Sequence, residues 1–379
     1  MIRRFAIFLT VFQTVLILVH IFLFLTWVYF RAPHRVGETN AYEFSPQNHW
    51  PLLVGLMILA VSFLATSLIG FRTTNVVLRV FYRITAVWLG FVNYAFLSAV
   101  LCWIVYLALR IGGVQAERNY FAPVFLALAV VVTAYGVVNA AWTRVSRVAV
   151  KLPGLPESWR GRTAVLVSDV HLGNYRTFGF SRRIAKMIGN LNPDVVFIAG
   201  DFYDGTPADF ARLAEPLRTL KPPLGAYFVE GNHEEFTDHM KFVRAVAATG
   251  VRVLNNERVE VEGLQIVGVA YRDATHAEHF RKTLRGTGVD RTRPSILLTH
   301  APDRVQVSAE EGISLQLSGH THHGQFWPWT RVAARIYGKY VYGLQRAGEM
   351  QIYTSYGAGT WGPPLRVGSN SEIVAIRFE

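Results

Sequence analysis

Five short motifs in the second half of the chain each place a metal-binding side chain at the end of an apolar run. They are Ser168-Asp169-Val170-His171, Gly200-Asp201-Phe202-Tyr203-Asp204, Gly231-Asn232-His233-Glu234, Leu298-Thr299-His300 and Gly319-His320-Thr321-His322. Together they offer two strong carboxylate ligands, one amide oxygen and several imidazoles, with no thiolate. Such donors suit a pair of hard or borderline divalent cations, whereas a structural zinc usually takes cysteines. Alone, Asp-Val-His or Gly-Asp is as readily turn punctuation as a ligand. Five in succession, each behind a strand-like stretch, point to one composite site.

The order DxH, GD, GNH, a lone H and GHxH resembles the calcineurin-like metallophosphoesterase family. The resemblance implies two mixed β-sheets sandwiched together and flanked by helices, with a two-metal site. It implies that Asp169, His171, Asp201 and His322 hold one metal, and that Asp201 bridges to a second completed by Asn232, His300 and His320. His233 would stand beside them as the residue that handles the phosphate or the leaving group. The chemistry of the residues agrees. A bridging carboxylate can hold two cations about 3.5–4 Å apart and support a shared hydroxide near neutral pH, which attacks phosphorus. The leaving alkoxide then needs a proton, for which His233 is the candidate general acid. Mn²⁺ is the expected metal, and Fe, Zn or Mg also fit these donors.

Other polar residues read more plainly. Asp204 before Gly205 suits a turn, and Asp303 suits the cap of a helix after His300. His323 and Arg366 are candidate substrate contacts; His323 reads equally as loop packing, and for Arg366 a phosphate clamp and a structural ion pair both fit. Arg366 closes the run Thr360-Trp361-Gly362-Pro363-Pro364-Leu365-Arg366, which resembles the tail of membrane-associated bacterial members of the family.

The elements that must position these residues follow from periodicity. Strands are expected at 163–168, 195–199, 227–230, 264–269, 295–299, 315–318, 353–356 and 373–378, and helices at 180–190, 209–220, 236–248, 276–285 and 302–310. The runs are apolar on both faces, as in strands covered on both sides. Residues 251–270 alternate and suggest antiparallel pairing. In open α/β sheets ligands gather beyond the carboxyl ends of the strands, where all five motifs fall.

The first half is of another kind. Residues 1–145 are expected to form a transmembrane domain of four helices at about 5–30, 52–70, 84–109 and 121–142, each near the ~20 residues that span a bilayer. A linker is expected at 146–162 and the catalytic domain at 163–379. Residues 1–150 hold eleven arginines and three glutamates, so they carry most of the net charge of +12. With the N-terminus inside, eight basic residues fall in inner segments and four (Arg31, Arg35, Arg110, Arg118) in outer loops. This bias predicts a multi-pass protein of the inner or plasma membrane with a cytoplasmic catalytic domain. The soluble half carries only +4 and no basic run, so no nucleic-acid partner is expected. No protein partner can be inferred. His20, inside the first span, reads as packing. Beyond His322, the stretch Phe326–Tyr342 mixes Trp, Tyr and basic residues as membrane interfaces do. An aromatic core loop has the same composition. With the bilayer as partner, the expected substrate is a phosphorylated lipid or a lipid-linked phosphate.

Overall fold

A computed structural model describes residues 2–31, 49–236 and 239–379, with side chains from residue 6. Arg35 and the side chains of Arg3 and Arg4, used in the orientation argument, lie outside the described residues. The chain divides into two units, Met1–Gly70 with Asn75–Val137, and Phe71–Thr74 with Val138–Glu379.

The first unit is helical: α1 (Ile2–Arg31), α2 (Trp50–Gly70), α3 (Val76–Ile111) and α4 (Phe121–Ala141). All four are long and apolar enough to cross a membrane. Helix α3 starts well before residue 84 because Asn75 caps it, its side chain accepting from Leu78 N at 2.8 Å. Arg79 and Arg83 are thereby drawn into the first turns. His20 is indeed a packing residue. Its Nδ1–H donates to Leu16 O at 2.7 Å, and its Nε2 accepts from Trp88 Nε1 at 3.0 Å.

The second unit contains β1 (Thr143–Val150), β2 (Thr163–Val167), α5 (Phe178–Gly189), β3 (Val195–Ala199), α6 (Phe210–Ala214), β4 (Ala226–Val229), α7 (His239–Ala247), β5 (Arg252–Val253), β6 (Glu257–Val261) and β7 (Leu264–Gly268). It continues with α8 (Tyr271–Ala274), α9 (Ala277–Gly286), β8 (Ser295–Leu298), α10 (Val305–Glu310), β9 (Leu315–Ser318), α11 (Trp329–Tyr337), β10 (Gly343–Ala347), β11 (Met350–Thr354) and β12 (Ser371–Phe378). Among the described residues the strands form two six-stranded sheets, ordered β1-β12-β2-β3-β4-β5 and β10-β11-β9-β8-β7-β6. β2 to β5 run parallel, as do β7, β8, β9 and β11; the β12–β2, β6–β7 and β10–β11 pairs are antiparallel.

Strand alternation builds the layers. In β2, Ala164 and Leu166 enter a core shared with Ile266, Ile296 and Leu317 of the other sheet, while Val165 and Val167 pack with Ile184 and Ile188 of α5. The far face of the second sheet buries Val267 and Leu297 against Phe280 and Leu284 of α9. The result is the expected sandwich of mixed sheets flanked by helices.

Four expectations need correction. Residues 143–150, expected as the end of the transmembrane domain and the start of the linker, form β1, paired in parallel with β12 from Thr143↔Ser371 to Val150↔Phe378. As an edge strand β1 carries Arg144 and Arg147, which disguised it as a topogenic loop. The helix expected at 209–220 ends at Ala214 and tightens into a 3₁₀ turn over Glu215–Thr219, since Pro216 cannot continue the ladder. Asp303 caps nothing: α10 starts at Val305 behind Arg304, without a side-chain cap. Part of the aromatic-basic stretch, finally, is α11, an amphipathic helix.

Candidate metal centre

The strand ends bring the motifs together. Asp169 follows β2 by two residues, Asp201 follows β3 by two, Asn232 follows β4 by three, and His300 and His320 follow β8 and β9 by two each. Backbone bonds tie these ends into one frame: Asp169 N to Gly200 O at 3.1 Å, His171 N to Asp201 O at 3.0 Å and Gly319 N to His300 O at 2.8 Å. The frame is tight enough to exclude side chains. A Cβ at Gly319 would strike Asp169 and Ser168, and one at Gly200, where φ is +79°, would strike His300 and Gly231.

Among the described residues, seven of the ten non-glycine residues with positive φ are Asp169, His171, Asp201, His320, His322, His323 and Gln325. Left-handed backbone costs an L-residue roughly 1–2 kcal/mol. Such outliers persist where surrounding structure over-determines them, and they cluster at functional sites. Five of the seven, Asp169, His171, Asp201, His320 and His322, are candidate metal ligands.

The side chains meet in three overlapping groups, Asp169–His171–His322, His171–Asp201–His233 and Asp201–His300–His320, each with donor atoms mutually within 4.8 Å. Asp201 belongs to two of them. Its Oδ2 lies 3.1 Å from His300 Nε2, 3.8 Å from His171 Nε2 and 3.9 Å from His233 Nε2. Asp169 Oδ1 lies 3.4 Å from His322 Nε2. Both carboxylates are anchored from behind: His233 N donates to Asp201 Oδ1 at 2.9 Å, and His320 N to Asp169 Oδ2 at 3.0 Å. Two histidines are oriented likewise, with His300 Nδ1–H donating to Ala199 O and His233 Nδ1–H to Asp204 O, so that each presents Nε2 to the cluster.

Electrostatics describe a site built for positive charge. Burial drives Asp169 up to about 6, against His300 and with the negative charge of Asp201. Burial also acts to raise Asp201, but His300 and His233 outweigh it and hold that carboxylate well below its usual range. His300 would be lowered by burial, yet Asp201 pulls it up to about 10. Burial and the charge on His300 push His320 down to about 3, and burial with Arg366 lowers His322. The donor set fits divalent cations on two further counts. His171 Nε2 and His322 Nε2 point at each other across 3.0 Å, and Asn232 Oδ1 is buried with no hydrogen-bond donor.

His323 and Arg366 belong to none of these groups. His323 stacks on Tyr356 at 5.3 Å, which in turn stacks on Tyr342. Arg366 is fully buried and forms no ion pair among the described residues. Its guanidinium donates to His322 O (2.8 Å), Tyr356 O (2.7 Å) and Gly359 O (2.8 Å), with His322 Nδ1 3.1 Å away. It secures the tail behind His322. Asp204 is a turn residue as expected, its carboxylate accepting from Thr206 N at 2.8 Å and Asn174 N at 3.0 Å. One contributor was missed: Glu234, fully buried, accepts from Asp201 N (2.9 Å), Gly231 N (2.8 Å) and Tyr203 N (3.1 Å). It lies within a quoted motif, but its local sequence gives no sign that it gathers N–H groups from two loops.

Residues 163–324 match the family model described as calcineurin-like phosphoesterase. An uncharacterized metallophosphoesterase of Aquifex aeolicus is 30% identical to the chain, over 66% of this chain and 98% of that protein. The chain belongs to the calcineurin-like metallophosphoesterase family. A transmembrane protein with metallophosphoesterase domain from Danio rerio is 36% identical over 66% of the chain and 61% of its own length. Another relative, an uncharacterized metallophosphoesterase of Campylobacter jejuni, is 29% identical over 85% and 88%. The match thus spans under two thirds of the Danio rerio protein, and likewise 64% of its Bos taurus namesake. Family membership implies divalent metal ions, and relatives named as transmembrane proteins accord with the four apolar helices.

Proposed function

We propose that this chain is a membrane-anchored, metal-dependent phosphoesterase acting on a phosphate ester, with a lipid or lipid-linked phosphate as the favoured substrate. The observation that carries the reading is the convergence of Asp169, Asp201 and the histidines from five strand ends into overlapping, largely buried groups. Asp169, His171, Asp201 and His322 would hold one cation, and Asp201, Asn232, His300 and His320 the other. Bound there, two divalent cations would supply an activated water and neutralise charge on the phosphate oxygens. Mn²⁺ is the first candidate for these oxygen and imidazole donors. His233, fixed through Nδ1 to Asp204 O, keeps Nε2 free to protonate the leaving oxygen.

Support for a lipid comes from the surroundings of His233. The half-exposed rings of Phe236 and Trp361 lie 4.5 and 5.7 Å from its ring, an apolar rim suited to the hydrocarbon part of an ester. The arginine distribution supports a cytoplasmic catalytic unit at the cell membrane. The test is a panel of bis-p-nitrophenyl phosphate, p-nitrophenyl phosphate, lipid phosphates and nucleotides, assayed with the purified full chain and Mn²⁺. Metal-dependent turnover, strongest on lipid phosphates, is expected. Absence of turnover on every member would sink the reading, and a clear preference for nucleotides would replace the substrate class.

A further inference from the structure

Helix α11 begins seven residues after His322, the second candidate-ligand histidine of the Gly319–His322 motif, and carries its own surface chemistry. Its inner face, Thr330 and Ala333, is buried, and Tyr337 reaches back to within 6.2 Å of the His320 ring. Trp329, Val332 and Ile336, spaced i, i+3 and i+7, form an outer stripe with relative exposures of 51%, 43% and 69%. Trp327, two residues before the helix, is also half-exposed, at 49%. Arg331 and Arg335, both exposed, form the adjoining stripe, and exposed Lys339 follows the helix. The patch connects to the rim over His233, because Gln325 and Trp361 exchange two hydrogen bonds, each of 2.8 Å.

A water-facing helix seldom shows two tryptophans and two aliphatic residues in one contiguous patch unless something covers it. An apolar stripe with tryptophan beside a basic stripe is the pattern of a helix lying in the plane of a lipid interface, its rings among acyl chains and its cations on headgroup phosphates. The four membrane-length helices among the described residues keep lipid at a high effective concentration for this unit. We propose that the Trp327–Lys339 surface is a membrane-docking face that binds anionic lipid headgroups and seats the mouth of the candidate metal centre in the bilayer interface. This deepens the lipid-substrate reading but does not require that the site hydrolyse anything.

The test uses the full chain with Cys102, its single cysteine, replaced by Ser, and a nitroxide placed at V332C, I336C or, as control, E278C on α9. The variants are reconstituted in phosphatidylcholine vesicles with and without phosphatidylglycerol. With phosphatidylglycerol, labels at 332 and 336 should lose accessibility to a soluble nickel chelate and gain it to oxygen, while the label at 278 stays accessible to nickel. Adding R331E, R335E and K339E should restore nickel access at 332 and 336. Nickel access at every position, or equal protection without phosphatidylglycerol, would overturn the proposal. So would protection accompanied by spin–spin broadening that vanishes on mixing with unlabelled chain, which would assign the face to a second copy. Asp201→Asn should abolish turnover and leave the label pattern unchanged, so failure of docking and failure of catalysis are separable.

Discussion

Glu234 offers a sharp test of how the site is held. Its Oε2 receives two N–H groups, from Asp201 and Gly231, and its Oε1 receives one from Tyr203. Burial, reinforced by the charge on Asp201, drives its carboxyl up to about 8, whereas the three N–H donors favour the carboxylate. We expect the carboxylate to prevail once cations occupy the centre. In Glu234→Gln the amide oxygen can keep the two donors on one side, but the NH₂ group must then face Tyr203 N–H. A buried N–H without an acceptor costs about 1–3 kcal/mol, and the other two bonds lose roughly 1 kcal/mol each of charge assistance. The sum, about 4 kcal/mol, corresponds to a fall of roughly 8–16 °C in the unfolding midpoint of a domain this size. The assay is thermal unfolding of the full chain in detergent with excess Mn²⁺, followed by near-ultraviolet circular dichroism, with metal analysis of the same samples. The variant should also retain less metal, because the loops bearing Asp201 and Asn232 have lost their common anchor. A variant matching the parent in midpoint and metal content would refute the reasoning: Glu234 would then be a neutral acid that glutamine replaces without loss.

Other expectations are quickly stated. Asp201→Asn, altering the one carboxylate shared between two of the ligand groups, should lose most bound metal by elemental analysis and all metal-dependent turnover. His233→Ala should retain its metal but lose about 10²- to 10⁴-fold in kcat, the usual range for a general acid. Chelation followed by dialysis should abolish turnover, and Mn²⁺ should restore it. Glu311 is held below the usual carboxylate range chiefly by its hydrogen bonds with Arg285. A depressed folded pKa means stability that is complete above the ordinary Glu value and lost as the pH falls through the folded one. Glu311→Gln should therefore flatten the acid limb of the stability curve, at a neutral-pH cost of about 1 kcal/mol because the arginine partners are partly solvated.

The family, the layered fold and the set of strand-end residues were legible in the sequence because each has a local cause. Strands covered on both faces read as uninterrupted apolar runs, membrane-length helices cannot hide, and ligand chemistry restricts residue types at turns. Elements whose local signal conflicts with their place in the fold were not legible. β1 looks like a charged loop because it is an edge strand, and it is a strand only because β12, more than 200 residues later, offers it a ladder. α11 looks like an aromatic stretch, since its inner face consists of small residues whose burial depends on their neighbours. Arg366 shows the same limit at a single residue: its composition suggests a phosphate clamp, but its environment is a ring of backbone carbonyls. Sequence by itself determined which side chains could hold metal and that the chain enters a membrane, because hydropathy and donor chemistry belong to the residues themselves. Only the tertiary structure decided which strand ends meet, which carboxylate two groups share and which buried glutamate ties the loops together. Those are distances between atoms far apart along the chain, and no local pattern encodes them.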